Sequence, residues 1–239
     1  MRQIWFALAA FALLGGVSAA APAHAESAPQ QQPDDRVLGK ADAPVTMFEF
    51  FSLTCPHCAE FEAETYPKVR KDWVDTGKAK IVYRDYPLDQ NALKAAMVAR
   101  CAPPERYAAF VEVLFQQQAV WGVQKDPTDT LKKIAALGGV GADQFDKCIN
   151  DEALSKSIVA EEYQAQQDYG VDSTPSFFIN GKKYVGAAPY APTNSDGSKA
   201  NPSEWYAETA LSEAYAAATK HSSAAPGTMT ASAQSDNNN

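Results

Sequence analysis

The sequence predicts an α/β fold that carries an inserted block of helices. Three observations lead there: an early strand–turn–helix with a Cys-x-x-Cys pair at the turn, a helical stretch too long for one crossover between strands, and a late β-hairpin before a last helix. The 239 residues are 46% hydrophobic and 21% charged, with 13 Gly and 15 Pro, the composition of an ordinary globular chain. Collagen-like, wholly disordered and coiled-coil classes are excluded.

In chain order, Val45–Phe51 is a near-continuous apolar run that suits a strand buried on both faces. Cys55-Pro-His-Cys58 follows, with proline placed for a first helical turn and Phe61, Tyr66, Val69 and Trp73 at helical spacing. Lys80–Tyr86 reads as a second strand, stopped by Pro87. From Gln90 to Tyr169 the pattern is of successive helices, broken at Ala102-Pro-Pro104, Gly122–Pro127, Gly138-Gly139 and Asn150-Asp151. Ser176–Ile179 and Lys182–Val185 flank Asn180-Gly181, the signature of a hairpin with a type I′ turn. Residues 186–202 form a Pro- and Gly-rich surface loop, and Glu204–Lys220 is a last amphipathic helix. The expected division is a core of 37–88 and 152–220 with a helical insertion at 89–151.

The ends read differently. Arg2, the 14-residue apolar run Ile4–Val17 and Ala23-His24-Ala25 have the pattern of a secretory signal peptide over residues 1–25, and the run is short for a membrane span. Residues 26–36 are expected to be a flexible linker and 221–239 a disordered tail. Cleavage leaves 214 residues with 20 basic against 29 acidic side chains, a charge of about −9, and His57 and His221 as the remaining histidines. Such an acidic chain lacks the electrostatic footprint for nucleic acid or an anionic membrane. Export out of the cytoplasm would place its four cysteines where disulfides persist.

Cys55 and Cys58 fall at the N-terminus of a helix, where unpaired backbone N–H groups and the helix dipole favour an anion. A stabilised Cys55 thiolate is a good leaving group and makes the disulfide an oxidant. His57 can add positive charge or a donated hydrogen bond. The alternatives are a structural disulfide or half of a zinc site, although Cys101 and Cys148, 47 positions apart, do not form the second close pair a Cys₄ site needs.

With Gly39-Lys-Ala-Asp-Ala-Pro-Val45, Glu49-Phe-Phe, Cys55-Pro-His-Cys58, Tyr86-Pro-Leu88 and Val171-Asp-Ser-Thr-Pro-Ser-Phe-Phe-Ile-Asn-Gly181, the chain resembles the DsbA-type periplasmic thiol:disulfide oxidoreductases over most of residues 37–186. The resemblance implies a thioredoxin-like fold with a helical insertion and a role in introducing disulfides into secreted proteins. It implies that Cys55 is the exposed sulfur attacked by substrate, Cys58 its buried resolving partner and His57 the tuner of Cys55. Thr174-Pro175 matches the family's cis-proline loop, which pairs with substrate backbone. Glu49, six residues before Cys55, matches an acid that would exchange protons with Cys58; on its own residues it is an acid in an apolar strand, with solvent contact or a structural partner as alternatives. The implied partners are reduced unfolded secreted proteins and a quinone-linked membrane reoxidant of the DsbB type, with no organic cofactor or metal and the protein acting as a monomer.

Cys101 and Cys148 are expected to form a structural disulfide, from the even count and the oxidising compartment, against the alternative of two buried free thiols. The simplest family pattern has only the Cys-x-x-Cys pair, and a related branch carries a second bridge. Phe48, Phe50, Phe177 and Phe178 are expected in the core, as is Trp121 ahead of a role in a peptide groove. The competing functions are a reductase or isomerase on the same fold, and a metal-binding or copper-handling module using Cys55, His57 and Cys58.

Overall fold

The computed structural model describes residues 27–192, 198 and 205–223. The expected signal peptide and almost all of the expected tail lie outside the described residues. A five-stranded mixed sheet runs in the order β1-β3-β2-β4-β5, where β1 is Arg36–Leu38, β2 Val45–Phe51, β3 Ala79–Asp85, β4 Ser176–Ile179 and β5 Lys182–Val185. β2 lies at the centre, parallel to β3 and antiparallel to β4. Between β2 and β3 run α1 (Pro56–Glu64), α2 (Tyr66–Val69) and a π turn at Arg70–Val74. The parallel pairing requires this crossover.

Alternation along β2 sorts its side chains between two apolar layers. Met47 and Phe51 join the layer that holds Cys55, Cys58, Phe61 and Phe177, whereas Phe48 and Phe50 join Val82, Tyr169 and Phe178 on the other face. Parity therefore puts Glu49 on the α1 side, between Tyr83 of β3 and Phe177 of β4. That layer is covered by α1 and by α9 (Ala207–Ser223), and the other by α8 (Glu152–Tyr169). The hairpin matches its turn signal: Asn180 and Gly181 have φ of 44° and 87°, the left-handed pair a type I′ turn demands.

Between β3 and α8 lie α3 (Gln90–Arg100), α4 (Tyr107–Gln116), α5 (Gln118–Trp121), α6 (Thr128–Leu137) and α7 (Ala142–Ile149). This block closes around Trp121, which is 0% exposed and donates its indole N–H to the Leu114 carbonyl at 2.9 Å. Trp121 is thus a core residue, as are Phe48, Phe50, Phe177 and Phe178. Cys101 and Cys148 are disulfide-bonded with Cα atoms 6.3 Å apart, tying the end of α3 to α7.

The expectation of a flexible linker at 26–36 is corrected. Pro29 is buried, Ser27 bonds the Asp168 carbonyl through backbone and side chain, and Arg36 lies in β1. The physical reason is Arg84. Phe48 lies beneath its guanidinium, which is almost wholly buried and donates to Asp35 at 2.8 Å and to the Gln30 carbonyl at 2.9 Å. A buried cation needs such partners, and the arm supplies them.

The disulfide closes 47 residues, so a Cys101→Ser/Cys148→Ser double variant should lose about 4 kcal/mol of stability on loop-closure entropy, visible as a lower urea midpoint. Cys55 and Cys58 should still exchange with dithiothreitol in that variant.

Candidate active site

Cys55 is the N-cap residue of α1, with extended backbone (φ −74°, ψ 122°), and Pro56 opens the helix. The loop leading to it is fastened to the helical block. The Ser52 carbonyl accepts from the Cys55 N–H at 3.0 Å, and the Thr54 hydroxyl donates to Asp89 at 2.7 Å. Asp89 in turn caps α3. The Gln118 amide donates to the carbonyls of both Leu53 and Cys55, each at 2.9 Å. None of these fastenings is visible in a motif; Asp89 and Gln118 acquire their roles from where α3 and α5 pack.

Cys58, one turn into α1, is completely buried. Cys55 was expected to be exposed but retains only 5% exposure, because the Thr174 loop covers it. The Cys55 thiol donates to the Thr174 carbonyl at 3.3 Å, and the Thr174–Pro175 peptide bond is cis. The two sulfurs are driven apart electrostatically. Cys55 is pulled down to about 5, first by a hydrogen bond from the Cys58 thiol, with the backbone N–H groups of Cys58 and His57 adding to it against a burial penalty. Cys58 is pushed well up, by burial first and then by its bond to Cys55 and the nearby Glu49. One sulfur is thus suited to be an anion at neutral pH and the other to hold a proton.

His57 departs from expectation. Its imidazole is 70% exposed and pairs through Nδ1 with Glu60 at 3.2 Å. What His57 contributes to Cys55 is its backbone N–H. The reason is local: the side chain at the second helical position projects outward, and Glu60, one turn on, captures it.

Glu49 is fully buried, neither carboxyl oxygen has a hydrogen-bond partner among the described residues, and burial pushes it up to about 8. Sequence reasoning missed a second such group. Glu62 is 8% exposed, equally unpartnered, and raised by burial and then by Glu49 and Glu112. The i, i+4 spacing from Cys58 to Glu62 was the available signal, since it puts both on one helix face.

The thioredoxin family profile matches residues 31–195. The DsbA thiol:disulfide interchange protein of Pectobacterium carotovorum is 30% identical over 194 residues, covering 77% of this chain and 86% of that one. The chain belongs to the thioredoxin family, in its DsbA-type branch. The crystal structure of Wolbachia pipientis α-DsbA1 is similar at 31% identity with a TM-score of 0.66, covering 80% of this chain and 96% of that one. A Rickettsia bellii protein named as a candidate protein-disulfide oxidoreductase is 32% identical over 149 residues; the match spans 62% of this chain and 58% of the relative. Within this DsbA-type branch the chain carries Cys101 and Cys148 as a bridged pair in addition to Cys55 and Cys58.

Thiolate absorbance of the reduced protein should rise with a midpoint near 5, assigned to Cys55 by its loss in Cys55→Ser. In His57→Ala the backbone N–H remains, so the midpoint should stay below about 7, well under the ordinary thiol value. The linked stability has a definite sign. With the folded value at about 5 against 9.0, the advantage of reduced wild type over reduced Cys55→Ser is full above 9 and is lost as pH falls through 5. Denaturant midpoints across that range check it.

Proposed function

We propose that the chain is an extracytoplasmic thiol:disulfide oxidoreductase that introduces disulfides into secreted proteins, with Cys55-Pro-His-Cys58 as its redox centre. The observation that carries this reading is the asymmetry of the pair: Cys55 pulled to about 5 at a helix N-terminus and Cys58 buried and pushed up. A client thiolate attacks Cys55 of the oxidised centre; the S–S bond breaks, its electron pair goes to Cys58, and a client–Cys55 mixed disulfide forms. A second client thiolate attacks the client sulfur of that bond and Cys55 leaves as a thiolate. The client is released oxidised, and the centre is left reduced.

Stabilisation of the departing Cys55 thiolate favours this direction over reduction of client disulfides. Thr174 and Pro175 would receive the client's backbone, a role supported by the Thr174 carbonyl lying 3.3 Å from the Cys55 sulfur. Glu49 would return a proton to Cys58, whose thiol it influences electrostatically. His57 enters through its backbone N–H. The partners are reduced, unfolded secreted proteins and a quinone-linked reoxidant of the DsbB type, which accepts the two electrons. The periplasm is the location this chemistry and the signal-like residues 1–25 support.

Cys55→Ser should abolish oxidation of a reduced client peptide, whereas Cys58→Ser should accumulate client mixed disulfides on Cys55, resolved by non-reducing electrophoresis and mass spectrometry. Client oxidation by Cys55→Ser at the wild-type rate would overturn the assignment.

A further inference from the structure

Where a sulfur comes to rest over a helix end is set by the two backbone torsions of its residue. The φ torsion places the side chain relative to the chain before it, and ψ places it relative to the helix that follows. Both are fastened at Cys55. Its N–H donates to the Ser52 carbonyl at 3.0 Å, and its own carbonyl accepts the Ala59 N–H at 3.2 Å as the first bond of α1. A carbonyl oxygen has a second lone pair, and here the Gln118 amide occupies it at 2.9 Å. The same amide nitrogen donates to the Leu53 carbonyl, also at 2.9 Å. One primary amide therefore spans the carbonyls on either side of Thr54, and both of its N–H groups are used.

Gln118 reaches these carbonyls from the helical block. It is half-buried at the start of α5. Trp121, at the other end of α5, is fully buried and bonded to the Leu114 carbonyl of α4, which itself packs on α1. The amide is thus carried by a short helix that is pinned in place.

We propose that Gln118 is a positioning residue of the redox centre: by holding the Cys55 carbonyl it fixes the torsion that sets the sulfur among the N–H groups of α1, and so makes the helical block part of what stabilises that sulfur as an anion. The inference rests on the dithiol–disulfide reading above and deepens it. Gln118 exchanges no proton or electron; it acts through the Cys55 main chain. The groups that favour the reduced sulfur as an anion include the Cys58 thiol and the N–H groups of Cys58 and His57. Hydrogen bonds weaken steeply as they bend, so a swing of Cys55 about ψ weakens several of them together. The same torsion governs release of a client, because the sulfur leaving the mixed disulfide has to settle back among these groups.

The test is thiolate absorbance against pH of the reduced full chain in about 1 M potassium chloride, which screens any charge added at position 118. Equilibration with glutathione and urea midpoints are measured on the same proteins. Gln118→Met keeps the length and donates nothing. Gln118→Glu keeps the shape and, once ionised, only accepts, so it sets a carboxylate against two carbonyl oxygens. Gln118→Lys restores a donor. The Cys55 midpoint should rise by about one pH unit in Gln118→Met and further in Gln118→Glu, with about a tenfold loss per unit in the equilibrium constant for taking electrons from glutathione. In Gln118→Lys it should return towards wild type. Wild-type titrations in both Gln118→Met and Gln118→Glu would overturn the proposal. So would lowered urea midpoints with the Cys55 titration unmoved, which marks a purely structural role, or a midpoint as high in Gln118→Lys as in Gln118→Met. A wild-type chain that oxidises no reduced client peptide, while its Cys55 midpoint still follows residue 118 in this order, would overturn the oxidoreductase reading and uphold the positioning role.

Discussion

The first backbone N–H groups of an α-helix have no carbonyl to accept them within the helix, and at α1 the group set among them is the Cys55 sulfur. Around this contact the rest of the site is arranged. The extended conformation of Cys55 and the proline after it aim the sulfur back over the first turn. The Thr174 loop closes over it, and Gln118 and Asp89 hold the preceding loop from the helical block. A sulfur kept anionic by fixed dipoles departs readily from a mixed disulfide, and in the proposed reaction the same dipoles would favour the reduced centre.

The layer beneath α1 has the opposite character. Cys58, Glu49 and Glu62 sit in it with little or no exposure, and burial holds each towards its protonated form. Two sulfurs three residues apart thus occupy contrasting environments, one among helix N–H groups and one in an apolar layer with carboxyls. The parity of β2 adds to the contrast: a strand shifted by one residue would turn Glu49 to the α8 face, away from Cys58. The crossover through α1 then fixes Cys58 above it.

Much of this was legible because short-range rules govern it. The apolar run of β2, the Asn-Gly turn and proline at the first helical position each carry a local signal that tertiary packing did not override. Cys101 and Cys148 also met as the even count suggested. The features that escaped depend on distant packing. β1 is three half-buried residues at an edge, too short for a pattern, and the arm before it is held by Arg84, whose need for a partner appears only once it is buried. Gln118 looks like any polar helix residue until α5 is placed against the Cys55 loop. His57 was read from its neighbours in sequence, but a side chain on the first turn has Glu60 within reach as well. Glu62 was readable from its spacing to Cys58, yet its unpartnered burial was not.

The central claim is that stabilisation of the Cys55 thiolate makes the oxidised centre an electron acceptor. Equilibration of the Cys55–Cys58 couple in glutathione buffers of graded ratio, with the reduced fraction read by tryptophan fluorescence, tests it most directly. The structure predicts a midpoint more oxidising than about −200 mV, so that the protein takes electrons from glutathione. A midpoint near the roughly −270 mV of reducing thioredoxins would contradict the account and make the protein a reductase.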